Sequence, residues 1–76
     1  MKTFEQLVSE KFSIPVEEVR DELSSKDIPD WDSMNYLLFI ADVEKEFSVS
    51  FSMDEVLGAS TLGSIREALR AKGVEV

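Results

Sequence analysis

The sequence of 76 residues contains no cysteine and no histidine. Without cysteine, neither a disulfide framework nor thiolate chemistry is available to the chain. Without histidine, the chain lacks the commonest general base and the commonest metal ligand. These two absences argue against most kinds of self-contained catalytic centre, and we predict no metal site.

Long apolar runs are also missing. None approaches the roughly 20 residues that a membrane span needs, and the segment from Met1 to Glu5 lacks the apolar region of a signal peptide. We therefore expect a cytoplasmic protein with one domain over residues 1–76. A domain of this size buries only about 60% of the surface that its unfolded chain exposes, which leaves little room for an enclosed active site.

Basic side chains are scarce, since 16 acidic residues against 8 basic ones give a net charge of −8. The middle of the chain, residues 27–65, holds one basic residue, Lys45. It holds eight acidic residues: Asp27, Asp30, Asp32, Asp42, Glu44, Glu46, Asp54 and Glu55. This charge argues against nucleic acid as a partner and predicts a monomer that binds basic protein surfaces through its middle.

The first helix is predicted from Thr3, which forms a capping-box pattern with Gln6. Apolar residues follow at helical spacing, namely Phe4, Leu7, Val8 and Phe12. The helix ends before Pro15, because the residue preceding a proline disfavours the α region. One short turn follows, and residues 21–31 show no sustained period, which predicts a long ordered loop.

A second helix is predicted to begin after Asp32, whose carboxylate can accept backbone N–H bonds as an N-cap. Its inner face is predicted from a stripe at helical spacing: Met34, Leu37, Ile40, Val43 and Phe47. Val49 and Phe51 alternate with serines after this helix, a pattern that a short strand would also show. Because no second strand is available to pair with it, we interpret these two residues as apolar plugs in a connecting segment.

The third helix is short and opens with a capping box at Ser52 and Glu55. Gly58 is expected to close it in the left-handed conformation. Ser60 or Thr61 caps the last helix. The predicted fold is therefore an all-α four-helix bundle with three main helices, one short helix and a long first loop.

The residues that carry chemistry are Asp32, Ser33 and Met34. Ser33 would stand at the start of the second helix, where unsatisfied N–H groups and a partial positive charge suit a phosphate. Neither histidine nor lysine lies nearby to activate the hydroxyl, so another enzyme must perform any modification. An Asp-Ser pair alone is also what an ordinary helix cap looks like.

The whole pattern resembles the acyl carrier protein family, from Thr3 to about Lys72. Residues 31–34, Trp-Asp-Ser-Met, are similar to the Asp-Ser-Leu attachment motif of that family, with methionine in place of leucine. Residues 41–47 resemble its acidic second helix. Residues 48–51 and 60–65 resemble its passage into the third helix and the start of its fourth.

The resemblance implies that Ser33 receives a covalent 4′-phosphopantetheine arm from a phosphopantetheinyl transferase, with Asp32 and Met34 beside it. It implies a carrier that catalyses nothing and presents acyl thioesters to partner enzymes. These partners would be an acyl-loading ligase or transferase, and synthases with basic docking patches. Whether the core admits the acyl chain is left open.

By the same analogy, several carboxylates would form the partner-binding surface. Asp32, Glu44 and Glu46 are the first candidates, and Asp30, Asp42 and Asp54 are weaker ones. Leu38 is a candidate hydrophobic contact. An ordinary solvated helix face is the alternative interpretation of these positions.

The chain departs from housekeeping fatty-acid carriers. Asn35 and Leu38 stand where those carriers often have carboxylates, Lys45 interrupts the acidic run, and no glycine precedes the motif. We therefore predict a specialised carrier in a lipid, fatty-acid-like, polyketide or surface-glycan pathway. The alternatives are a stand-alone peptidyl or amino-acyl carrier, which would be loaded by an adenylation enzyme, and an acidic interaction module. A calcium-binding domain is disfavoured because no EF-hand ligand series is present.

Overall fold

The computed structural model describes residues 1–76 and contains four α-helices. These are α1 (Phe4–Phe12), α2 (Ser33–Phe47), α3 (Met53–Gly58) and α4 (Leu62–Ala71). A 3₁₀ helix, Val16–Glu18, follows α1, and a loop leads from it to α2. The predicted all-α bundle of three main helices and one short helix is confirmed. None of its helices has both the length and the apolar character needed to cross a membrane.

The helix starts lie where the side-chain capping signals place them. Both predicted capping boxes form, at Thr3 with Gln6 and at Ser52 with Glu55. Thr61 caps α4, and its hydroxyl accepts a hydrogen bond from the N–H of Ser64 at 3.1 Å. Each cap satisfies a backbone donor that has no partner inside its own helix.

The helix ends are less regular. Gly73 takes a left-handed φ of 89° after α4, and the following N–H, of Val74, reaches back to the carbonyl of Leu69 at 3.0 Å. This is a Schellman ending, for which glycine is the preferred residue. The prediction for Gly58 was wrong: Gly58 belongs to α3, and the chain leaves that helix through an extended Ala59.

The inner face of α2 differs from the predicted stripe. Phe39 and Val43 are fully buried and Ile40 is nearly so, whereas Leu37 is 57% exposed and Met34 is 72% exposed. The prediction that Leu37 and Met34 face the core was therefore wrong. Two stripes at helical spacing, one through Leu37 and one through Phe39, share Ile40 and Val43. Spacing alone does not decide between them.

The core is built from all four helices and the first loop. Nine side chains are less than 2% exposed: Phe4, Phe12, Phe39, Ile28, Leu62, Ile65, Leu69, Val8 and Val43. The ring of Phe39 lies at the centre, with centroid distances of 5.9 Å to Phe4 and 5.2 Å to Phe12. Val49 and Phe51 pack against this core from the segment between α2 and α3, as predicted.

The first loop is fastened to the start of α4 by backbone hydrogen bonds. The N–H of Leu62 donates to the carbonyl of Leu23 at 3.0 Å, and the N–H of Gly63 donates to the carbonyl of Asp21 at 2.8 Å. Two first-turn donors of α4 thus find partners outside the helix. A Cβ at position 63 would lie only 3.0 Å from the Cβ of Asp21, so glycine permits this close approach.

Arg66 of α4 is a buried charged residue that sequence reasoning missed. Its guanidinium lies 2.9 Å from a carboxylate oxygen of Asp21 and 3.1 Å from one of Glu5, and 4.7 Å from the centroid of the Phe4 ring. The backbone N–H of Glu5 and the Arg66 guanidinium hold the pKa of the Glu5 carboxyl below its usual value. Arg66 therefore connects α4 to both α1 and the first loop.

Replacing Arg66 by alanine is expected to lower the free energy of unfolding by about 2 kcal/mol. This is less than the loss typical of a fully buried pair, because Asp21 and Glu5 keep partial contact with water. Urea denaturation followed by circular dichroism measures the change. The matched control is Arg70→Ala in the same helix, whose exposed pair with Glu67 is worth less than about 0.5 kcal/mol. Equal losses in the two variants would contradict this account of Arg66.

Candidate functional site

The candidate site lies where the first loop meets the start of α2. Asp32 is the N-cap of α2, as predicted, and its Oδ1 accepts a hydrogen bond from the N–H of Asn35 at 2.8 Å. The side-chain amide of Asn35 donates in turn to the carbonyl oxygen of Asp30 at 2.9 Å. These two bonds tie the end of the loop to the first helical turn and hold the backbone around Ser33.

Ser33 is the first residue of α2, and its side chain is exposed. The N–H groups of a first helical turn have no partners within the helix, and the helix dipole places partial positive charge there. Both effects favour a phosphate at this position. The Asp32 carboxylate partly offsets this charge and is itself engaged with the N–H of Asn35.

A groove of about 430 Å³ opens beside Ser33, between α2, α3 and the first loop. Its lining consists of Ser25, Trp31, Asp32, Ser33, Tyr36, Val56, Leu57 and Ala59. Trp31 stacks on Tyr36 at a centroid distance of 5.6 Å and on Phe12 at 5.3 Å, so the core supports this wall of the groove. The groove is therefore lined both by the exposed Ser33 and by apolar and aromatic side chains.

Tyr36 links α2 to α3 by a hydrogen bond, a role that was not predicted from the sequence. Its phenolic hydroxyl donates a hydrogen bond to the carbonyl oxygen of Val56 at 2.6 Å. Burial raises the pKa of the Tyr36 hydroxyl above its usual value, so the hydroxyl stays protonated and able to donate at neutral pH. The sequence signal for this role was the position of Tyr36, one helical turn before Phe39 and Ile40. This spacing places Tyr36 on the same face of α2 as these two buried residues.

The structure places the other predicted residues around this site without bringing them into one cluster. Met34 follows Ser33 but is not one of the residues that line the groove, and it is largely exposed; Leu38 is 47% exposed. Asp30 and Asp54 are also exposed. None of these four side chains contributes to the packed core.

Three of the predicted docking carboxylates make contacts within the protein. Asp42 lies 3.2 Å from the Lys11 ammonium of α1. A carboxylate oxygen of Glu44 accepts the backbone N–H of Phe51 at 2.7 Å. One of Glu46 accepts the backbone N–H of Lys2 at 3.0 Å. These three carboxylates therefore connect α2 to neighbouring segments of the protein. Binding to a partner enzyme would not require such internal contacts.

A sequence profile of the family described as "Phosphopantetheine attachment site" matches residues 2–69 of the chain. The chain belongs to this family of phosphopantetheine-binding carrier domains. The predicted resemblance to the acyl carrier protein family is thereby confirmed. No curated protein matched the carrier domain.

Carrier domains of this family hold a covalently attached 4′-phosphopantetheine and interact with partner enzymes such as transferases and synthases. The surroundings of Ser33 fit that group. An exposed hydroxyl stands at the positive end of a helix of 15 residues, beside a groove with an apolar wall. The phosphate and the chain that follows it thus find suitable surfaces next to each other.

Replacing Asp32 by alanine in the carrier domain is expected to lower the free energy of unfolding by about 1 kcal/mol, the usual worth of an N-cap. The change is measured by urea denaturation. Asp32→Asn is the matched control, because an asparagine oxygen still accepts the N–H of Asn35. A loss in Asp32→Asn as large as that in Asp32→Ala would show that the charge of Asp32, and not its cap, stabilises the fold.

Proposed function

We propose that this protein is an acyl carrier protein and that Ser33 is the residue to which its 4′-phosphopantetheine arm is attached. The arm supplies a terminal thiol on which acyl groups are held as thioesters. The observation that carries the proposal is the position of Ser33, whose exposed hydroxyl stands at the N-terminus of α2 and on the rim of the groove. Other exposed serines of the chain lack this combination.

Attachment requires an external enzyme, because the side chains around Ser33 do not activate its hydroxyl. The nearest carboxylate, that of Asp32, is directed to the N–H of Asn35. In the transfer, the Ser33 oxygen forms a bond to the β-phosphorus of coenzyme A. The bond from that phosphorus to the oxygen bridging to the nucleotide breaks, so that 3′,5′-ADP leaves, and a base of the transferase takes the serine proton. The carrier itself is proposed to have no catalytic activity.

Partner enzymes are proposed to be attracted by the acidic middle of the chain. The net charge of −8 raises the rate of encounter with basic surfaces even where no single carboxylate is essential. Asp30, Asp54 and Leu38 are exposed and free to take part. We propose a dedicated loading ligase or transferase and synthases with basic docking patches as partners, in a specialised lipid, fatty-acid-like, polyketide or surface-glycan pathway.

The proposal is tested by intact-protein mass after incubation with coenzyme A, magnesium and a promiscuous phosphopantetheinyl transferase. We expect a gain of one phosphopantetheinyl group and, after proteolysis, its location on the peptide that contains Ser33. A folded protein that gains no mass with several transferases would overturn the proposal and favour an acidic interaction module instead.

A further inference from the structure

The outward face of α2 carries apolar side chains and one lysine. At 3.6 residues per turn, these residues fall within an arc of about 100°. The arc lies opposite the face of the helix that buries Phe39 and Val43. A contiguous exposed apolar patch on a small protein is often a site of interaction. We call the exposed residues of this arc the outer stripe: Met34, Leu37, Leu38, Ala41 and Lys45.

The acidic residues of α2 lie outside the outer stripe. By helical geometry, Asp42, Glu44 and Glu46 are rotated by about 70° or more from its middle. Each of these carboxylates also contacts another segment of the protein, at distances of 2.7–3.2 Å. A partner that covers the outer stripe therefore meets apolar groups and a lysine, with the carboxylates of α2 at its flanks.

Lys45 is the charged residue of the outer stripe, and it makes no ion pair within the protein. Six of the eight basic side chains lie in ion pairs, whereas Lys26 and Lys45 do not. The opposite end of the stripe is acidic, because the exposed Asp30 and Asp32 precede the first turn of α2. The charge thus changes sign along the stripe, over about 18 Å between Ser33 and Lys45.

An enzyme that acts on Ser33 has to bind next to the outer stripe. A specific interface covers about 800 Å² of each partner, which corresponds to a patch about 30 Å across. The 15 residues of α2 span about 22 Å, and Ser33 is the first of them. One interface of ordinary size is therefore wide enough to hold both Ser33 and the whole outer stripe.

We propose that the transferase that modifies Ser33 docks on the outer stripe, with apolar side chains against Leu38 and a carboxylate facing Lys45. Basic groups of the same enzyme meet the acidic end of the stripe, at Asp30 and Asp32. Only one direction of the enzyme along α2 brings opposite charges together, so Lys45 fixes its orientation. This inference rests on the proposed function, in which Ser33 receives the arm.

A second copy of the chain is less suited to the outer stripe. Two copies each carry a net charge of −8 and repel one another. A dimer formed there would also obstruct the approach to Ser33, at the start of the same helix. We expect sedimentation equilibrium to show a monomer. A dimer that Leu38→Glu dissociates would identify the second copy as the occupant and would refute the inference.

The main test measures kcat/KM for loading of Lys45→Glu. The probe is the member of a panel of phosphopantetheinyl transferases that loads the wild type fastest, at saturating coenzyme A. If negative charge along all of α2 attracted the enzyme, this more acidic variant would be loaded faster. We expect loading to be slower by about tenfold or more, because the substitution places like charges together. The loss should appear as a higher KM with unchanged kcat.

Arg20→Glu is the matched control, because it changes the net charge by the same amount. Arg20 lies in the first loop, and its pair with Glu22 is exposed and worth little. We expect this variant to be loaded within about twofold of the wild-type rate. Loading of Lys45→Glu at or above the wild-type rate, or an equal loss in Arg20→Glu, would contradict the pairing of Lys45 with a carboxylate of the enzyme.

Leu38→Glu tests the apolar part of the outer stripe. We expect kcat/KM to fall by about tenfold or more, because docking would remove the new carboxylate from water. Val16→Glu is the control: Val16 is 45% exposed and Leu38 is 47% exposed, but Val16 belongs to the 3₁₀ helix. Equal losses in these two variants would show that the added charge, and not the stripe, is responsible. Circular dichroism establishes that each variant is folded, as expected for exposed positions.

The two proposals fail in different ways in this experiment. If no transferase of the panel loads the wild type, the proposed function is wrong and the docking inference falls with it. If the wild type is loaded and the variants of Lys45 and Leu38 are loaded equally well, only the inference about the outer stripe is wrong.

Discussion

Ser33→Ala is expected to abolish phosphopantetheine loading completely and to leave the fold unchanged. The hydroxyl oxygen is the atom that must bond to the phosphorus, and alanine offers no nucleophile in its place. The stability should change little, because Ser33 is exposed, the N-cap is supplied by Asp32, and alanine is a good helix former. Intact mass after incubation with coenzyme A and the transferase measures the first effect, and urea denaturation measures the second.

Ser25→Ala is the matched control for this experiment. Ser25 is exposed and lines the same groove as Ser33, but it lies in the loop and not at a helix N-terminus. We expect it to be loaded as fully as the wild type. Residual loading of Ser33→Ala, or loss of loading in Ser25→Ala, would place the attachment residue elsewhere and would contradict the proposed role of Ser33.

Phe39→Ala is expected to lower the free energy of unfolding by about 3–5 kcal/mol. A protein of this length has a total stability of only about 4–11 kcal/mol, so the variant should lose a large fraction of it. The physical reason is the central position of the ring, which is fully buried and contacts both Phe4 and Phe12. Removing it opens a cavity that α1 and α2 both border.

Leu37→Ala in the same helix is the control for Phe39→Ala. Leu37 is 57% exposed, and a substitution at such a surface position changes stability by less than about 0.5 kcal/mol. Far-ultraviolet circular dichroism and urea denaturation measure both variants. The reverse order, in which Leu37→Ala unfolds the protein and Phe39→Ala does not, would show that α2 buries the stripe predicted from the sequence.

The helix starts and their N-caps were predictable because they depend on local interactions. A threonine or serine followed three residues later by glutamine or glutamate satisfies two backbone donors within one turn, and both such pairs form. The same holds for Asp32 and the start of α2. The position of Ser33 at that start was therefore also predictable from the sequence.

The environment of the site was not predictable in the same way. The groove depends on the contact of Tyr36 with Val56, which are 20 residues apart, and on the stacking of Trp31 on Phe12 of α1 and Tyr36 of α2. No local pattern pairs such residues. The ion pairs of Arg66 with Asp21 and Glu5 likewise join three separate segments.

The sequence by itself determined the family, the all-α fold, the helix starts and the serine at the start of α2. Each depends on residues within a few positions of one another or on a pattern along the whole chain. The tertiary structure alone decided which face of α2 is buried, because the two stripes through Leu37 and Phe39 are equally compatible with a helix. Only the packing of α1 and α3 against Phe39 and Tyr36 distinguishes them. That packing also leaves Leu37 exposed to water and brings Tyr36 into hydrogen-bond contact with Val56 beside Ser33.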